Sequence, residues 1–241
     1  MTQTLDKQSA WLLHSRPFRD TSVLLDFLTP DHGRISAIAR GARGPRSKQR
    51  ALLQPFQPLI VSLTGRTELL SLRDVEAAGP SLALTGERLF SALYVNELMT
   101  RLLRGHEGEA TLFDLYSTVL VGLNGGAELE PLLRDFELRV LDALGFGLQF
   151  SHEAETGEAL AADCWYYLHH DTGFVRQSSV HEPHPDATQH LYPGHELHRI
   201  EARDFAAATT RACAKRLLRE VLQHHMSERP LTSRELFMQS G

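Results

Sequence analysis

Between residues 10 and 79 the chain breaks into five short apolar runs, and after Gly79 the spacing of apolar residues becomes helical. Residues 11–15, 21–28, 34–40, 59–63 and 68–72 have the length and composition of strands, and the last could extend to Ala77. Turn formers separate them: Pro30-Asp-His-Gly33 places glycine where a positive φ is needed, and Thr64-Gly-Arg66 joins the last two runs as a hairpin. Five short strands in so small a segment must cover their edges, and closing into a barrel does so. A five-stranded oligonucleotide-binding barrel, the OB-fold, is the first candidate; an SH3-like barrel is the second.

Beyond Gly79, Leu89, Phe90, Leu93, Tyr94, Leu98, Leu102 and Leu103 recur at helical spacing, with Gly105 as a stop. Residues 110–123 form a second helix ending at Asn124-Gly-Gly126. Pro131 opens a third with Leu132, Phe136, Val140 and Leu144 on one face. Residues 151–200 are poorly patterned, with a hairpin over Cys164–Val175 and a Pro- and His-rich loop over 177–198; a long helix follows over 201–225 and a short one over 233–238. The expected class is α+β: an OB-fold barrel in residues 1–79, then a mainly helical domain in 80–241 with a small irregular β insertion around 151–200.

Charge is segregated. The chain as a whole carries a formal charge of -5, yet residues 34–50 read RISAIARGARGPRSKQR, with no acidic residue. Arg34, Arg40, Arg43, Arg46, Lys48 and Arg50 fall there, on a strand end and a Gly/Pro-broken loop. A cationic loop on an acidic protein suits a polyanion, with a solvated arginine-rich loop as the plain alternative. Arg16 and Arg19 flank Phe18 in a nearby turn, where an aromatic ring could stack a base; Phe27 alternates with Leu25 and belongs to a core.

Several chemistries lack their signatures. There is no phosphate-binding loop, no Gly-x-Gly-x-x-Gly fingerprint, no Gly-x-Ser-x-Gly elbow and no His-Glu-x-x-His pair. His181, His184, His190, His195 and His198 crowd one segment without the ordered Cys/His spacing of a zinc site, so no metal and no cofactor are expected. No apolar stretch approaches the ~20 residues that span a bilayer, and the N-terminus has no signal pattern, so a cytoplasmic location is expected. Cys164 and Cys213 are expected to be free.

Several segments together resemble the RecO family of recombination mediators. They are Leu13-His-Ser-Arg-Pro-Phe-Arg-Asp-Thr-Ser22, Gly33-Arg34 with Ala39-Arg-Gly-Ala-Arg43, Leu53-Gln-Pro-Phe-Gln-Pro-Leu59, Tyr94-Val-Asn-Glu-Leu98, Arg134-Asp-Phe-Glu-Leu138 with Leu144-Gly-Phe-Gly147, and Pro230-Leu-Thr-Ser-Arg-Glu-Leu-Phe237. Each is weakly specific; all of them in order, over nearly the whole chain, are strong. The resemblance implies a non-enzymatic, nucleoid-associated DNA-repair protein that binds single- and double-stranded DNA and anneals complementary strands. It implies RecR as a partner in loading RecA onto DNA coated by single-stranded DNA-binding protein. It also implies that the acidic tail of that coating protein docks at Arg134, where a surface ion pair with Glu130 or Glu137 is the alternative. Some members carry a four-cysteine zinc module; here that region offers Cys164 alone, so the module would be metal-free and held by Trp165, Tyr166, Tyr167 and Phe174. Two other readings stay open from the residues: a metal-dependent nucleic-acid enzyme using the His-rich segment, and a protein adaptor that binds no DNA.

Overall fold

The computed structural model describes residues 2–45, 47–103, 110–177, 190–226 and 233. Five strands close a barrel: β1 (Gln3–Phe18), β2 (Ser22–Thr29), β3 (Gly33–Ala39), β4 (Pro58–Gly65) and β5 (Leu70–Ala77). The order around it is β1-β2-β3-β5-β4, with β4 returning to β1; β3 and β5 run parallel and the other pairs antiparallel. This is the expected OB-fold barrel. A single helical turn, α1 (Gln49–Leu52), lies between β3 and β4. Strict alternation sets the interior: Ile35, Ala37 and Ala39 from β3 and Leu59, Val61 and Leu63 from β4 point inward, meeting Leu25 and Phe27 of β2.

One strand is much longer than its pattern suggested. β1 spans 16 residues because it pairs with β4 along its first half and β2 along its second. Register shifts between Leu5 and Gln8 and between Leu12 and His14 let it bend around the barrel, and Lys7 takes φ 47° in the first.

Two helices, α2 (Gly86–Leu102) and α3 (Ala110–Asn124), pack on the barrel's outer surface. Their presence explains why outward-facing Trp11 is buried. Its indole N–H donates to Ser117 Oγ at 2.8 Å, and its ring meets Tyr116 edge-on at 5.8 Å. Tyr116 donates its hydroxyl to Asn96 Oδ1, and Asn96 Nδ2 donates to the Leu13 carbonyl at 3.2 Å. A buried polar chain thus ties α3 to α2 and α2 to β1, each member satisfied by the next. Burial pushes the Tyr116 phenol far above its ordinary pKa, so it remains a donor. Glu97 of α2 accepts from Ser233, from N–H at 2.8 Å and from Oγ at 2.6 Å, and pairs with Arg101. Two of the sequence segments singled out above, 136 residues apart, therefore meet. The barrel, α2, α3 and Ser233 fall in one compact unit.

The second unit covers residues 130–229. It holds α4 (Leu129–Ala143), a three-stranded antiparallel sheet ordered β7-β6-β8, and the helices α5 (Gly194–Glu201) and α6 (Ala208–His225). The strands are β6 (Trp165–His169), β7 (Gly173–Arg176) and β8 (Leu191–Pro193). Pro131 sits in the first turn of α4, whose buried face is carried by Leu133, Phe136, Val140 and Leu141 rather than Leu132 and Leu144.

Three expectations need correction here. The segment given as loop to His198 contains β8 and α5. The helix expected from Glu201 starts at Ala208, because Arg203 takes φ 57° and Asp204 Oδ1 accepts the Ala206 N–H at 3.2 Å, which turns the chain. The sheet is also held by a different aromatic set. Tyr166, Phe174 and Tyr192 are fully buried with Leu168, whereas alternation along β6 turns Trp165 outward at 52 % exposure and leaves Tyr167 half-buried.

Candidate nucleic-acid interface

The cationic residues are arranged by how the barrel closes at one end. β1 ends in Arg16-Pro17-Phe18, and the tight turn to β2 puts Arg19 at φ 53°. Arg16 and Arg19 are exposed, and the Arg19 guanidinium lies over the Phe18 ring at 5.3 Å, so a base stacking on that face would displace it. After β3 the chain enters the Gly-rich loop with Gly41 at φ 72°. Arg43 fastens this loop to the β1–β2 turn: its N–H donates to the Thr21 carbonyl at 2.9 Å and its guanidinium approaches the Arg19 and Asp20 carbonyls, each at 3.4 Å.

Two small anchors do the remaining positioning. Ala42 and Leu53 are buried in the barrel cluster, one on either side of the loop. With both ends held, Arg43, Lys48 and Arg50 face solvent, as does Arg40 at the end of β3. The result is a groove of about 330 Å³ lined by Arg16, Arg43 and Arg50, with Pro17, Val23, Ala42 and Leu53 as its apolar walls and Ser15 and Gln54 at its edge. Arg16 and Arg50 are distant in sequence and reach one groove through that packing. Arg46 lies outside the described residues.

Arg34 is placed apart from the other cations of the run. It belongs to the run in sequence but not to this rim. Its guanidinium donates to the carbonyls of Thr100 at 2.7 Å and Leu103 at 3.2 Å, and pairs with Asp26 at 3.0 Å. Ser36 Oγ donates to the other Asp26 oxygen at 2.6 Å. Arg34 therefore satisfies carbonyls at the C-terminal end of α2 and neutralises a buried carboxylate, a structural role. Phe27 and Phe56 are buried in the core, as is Trp11 beneath α3.

At the opposite end, a hollow of about 450 Å³ is lined by Gln3, His32, Arg66 and Glu68 among others. Its mixed charge suits a polyanion less well.

In the second unit, Arg134 is nearly buried and pairs with fully buried Glu137 at 2.9 Å, one turn along α4. The ion pair with Glu137 is formed, but inside the fold rather than on the surface as the alternative had it. Among the described residues no three His, Cys, Asp or Glu side chains are placed to hold a metal ion. His195 and His198 are exposed on α5, while His181 and His184 lie outside the described residues. Cys213 is buried, which pushes its thiol up to about 11, and Cys164 is half-exposed; both are free.

What sequence reading missed is the groove's apolar lining. The signal was present: Ala42 sits between Arg40 and Arg43, and Leu52-Leu53 follow the run directly.

Residues 1–80 match the family described as Recombination protein O N terminal, and residues 83–235 that described as Recombination protein O C terminal. The chain belongs to the RecO family. The protein named DNA repair protein RecO in Methylococcus capsulatus is 44 % identical over 232 residues, covering 96 % of this chain and 93 % of that one. Its namesake in Cellvibrio japonicus is 40 % identical over 233 residues, covering 97 % of each. In Pseudoalteromonas atlantica the RecO relative is 35 % identical over 235 residues, covering 98 % and 95 %. The RecO N-terminal match ends where the barrel ends, so the groove and its cations lie within it. No helix of the described residues is long and apolar enough to cross a membrane.

Proposed function

We propose that this RecO-family protein acts in DNA repair as a non-enzymatic mediator whose barrel rim tracks the phosphates of single- and double-stranded DNA. The observation that carries the reading is the shared groove of Arg16, Arg43 and Arg50, flanked by Arg19, Arg40 and Lys48. Phosphate contacts of this kind bind any sequence. By neutralising two strands at once the rim lowers their repulsion and brings complementary strands together, and no covalent bond changes. Family membership supports RecR as the partner with which it helps load RecA onto DNA coated by single-stranded DNA-binding protein, acting at the nucleoid. The acidic tail of that coating protein would dock at Arg134, sharing the guanidinium with Glu137.

Annealing of two complementary labelled oligonucleotides, followed by energy transfer between the labels, tests this. The protein accelerates pairing, and the variant Arg16→Ala/Arg43→Ala/Arg50→Ala loses most of the acceleration while remaining folded. Equal acceleration by the variant would remove the rim from the mechanism.

A further inference from the structure

We propose that the groove between Arg16, Arg43 and Arg50 is a slot for one unstacked base of a single strand, with the flanking phosphates on those cations. The inference rests on the reading of the rim as a phosphate track and adds a base to it. A phosphate needs cations and nothing apolar beneath it. Here Val23, Leu53 and the Pro17 ring line the same groove as the cations, and apolar residues between converging polar groups mark a site for a flat, partly apolar ligand. At about 330 Å³ the groove is at the small end of the roughly 300–1,000 Å³ of small-molecule sites, which suits one nucleotide and not a run of them.

The edge of the slot carries hydrogen-bonding groups suited to a base. Gln54 Nε2 donates to the Arg50 carbonyl at 2.7 Å, which holds the amide at the groove and leaves its oxygen as an acceptor. Ser15 adds a hydroxyl to the lining of the same groove. The apolar lining is rigid, because Leu53 and Ala42 are part of the barrel core and Val23 packs against it. A base in a duplex is stacked on both faces and paired at its edge, and must be flipped out to enter. The slot therefore favours single strands over double strands, although the phosphate track takes both.

The test compares binding of the full chain, by fluorescence anisotropy, to a short oligothymidylate and to an abasic strand of equal length. Wild type binds the abasic strand about tenfold or more weakly, the scale expected for losing base contacts, while the salt dependence of both strands stays equally steep. The variant Ser15→Leu fills the slot with a side chain that cannot stack a base and leaves every arginine in place. It binds oligothymidylate only as tightly as wild type binds the abasic strand, and no longer distinguishes the two. Equal wild-type affinity for both strands overturns the slot, and so does a Ser15→Leu variant that still discriminates. In either case a steep salt dependence shows that the phosphate track survives; loss of salt-dependent binding altogether would instead refute the track itself.

Discussion

Arg34 separates this account from a reading of the basic run as one undivided surface. Replacing it with Met keeps the aliphatic stem and removes the guanidinium. Lost with it are two donors to the end of α2, at 2.7 and 3.2 Å, and the 3.0 Å pair with Asp26. Asp26 is 7 % exposed, so its charge is left with the Ser36 hydroxyl and a distant His14. Breaking a fully buried pair costs about 3–5 kcal/mol. The Arg34 side chain keeps 27 % of its exposure, and solvent screening brings the expected loss to about 2–3 kcal/mol. For a chain of this size that lowers the melting temperature by roughly 4–12 °C. The second replacement Asp26→Asn should restore part of the loss, because the uncompensated charge is gone. Thermal unfolding measures the stability, and salt-titrated oligonucleotide binding measures the phosphate contacts. Arg34→Met should melt early with its salt dependence intact. Unchanged stability with a log–log slope shallower by about 0.7 would show that Arg34 contacts a phosphate and that its role at α2 is wrongly assigned.

Other outcomes follow from the same structure. Tyr116→Phe strands the buried Asn96 oxygen and should cost about 1–3 kcal/mol by chemical denaturation. His170 stacks on His224 at 4.1 Å, with Glu220, His169 and Asp171 around it, and burial together with the neighbouring His224 lowers its pKa. Since the unfolded chain then binds the extra proton first, the second unit gains this stability above about pH 6.5 and loses it as pH falls toward the folded value. His170→Gln should flatten the dependence of the denaturation midpoint on pH between about 5 and 7; an unaltered profile would place the titration elsewhere. For the tail site, Glu137→Gln frees the Arg134 guanidinium and should tighten binding of an acidic peptide in calorimetry. The double variant Arg134→Met/Glu137→Gln removes the buried charges together and should abolish that binding while keeping the fold; retained binding would exclude Arg134.

How much could be read from sequence depended on whether a residue's setting was local. β3 and β4 were legible because each alternates without interruption. The full length of β1 was not, since its two irregularities break the period at which strands are recognised. α5 was hidden by Pro193-Gly194, which looks like a helix breaker. Pro193 instead precedes the first turn, and Gly194 is needed because a Cβ there would lie 2.0 Å from the Ala161 carbonyl oxygen. In the site, Arg34 read as one more cation at a strand end, and nothing local shows that the end of α2 covers it. Arg16, Arg43 and Arg50 could be picked out as cations; their convergence came from Ala42 and Leu53 reaching the core.

The most direct measurement of the central claim is the salt dependence of single-strand binding, for wild type and for Arg16→Ala/Arg43→Ala/Arg50→Ala. Among the described residues, Arg16, Arg19, Arg40, Arg43, Lys48 and Arg50 are the exposed rim cations, and at about 0.7 per neutralised phosphate these six give wild type a log–log slope of about -4. Removing the three that line the groove should halve it, so that raising salt from about 50 to 200 mM weakens wild type some three-hundredfold and the variant about twentyfold. A variant whose slope matches wild type would contradict the assignment of DNA binding to this end of the barrel.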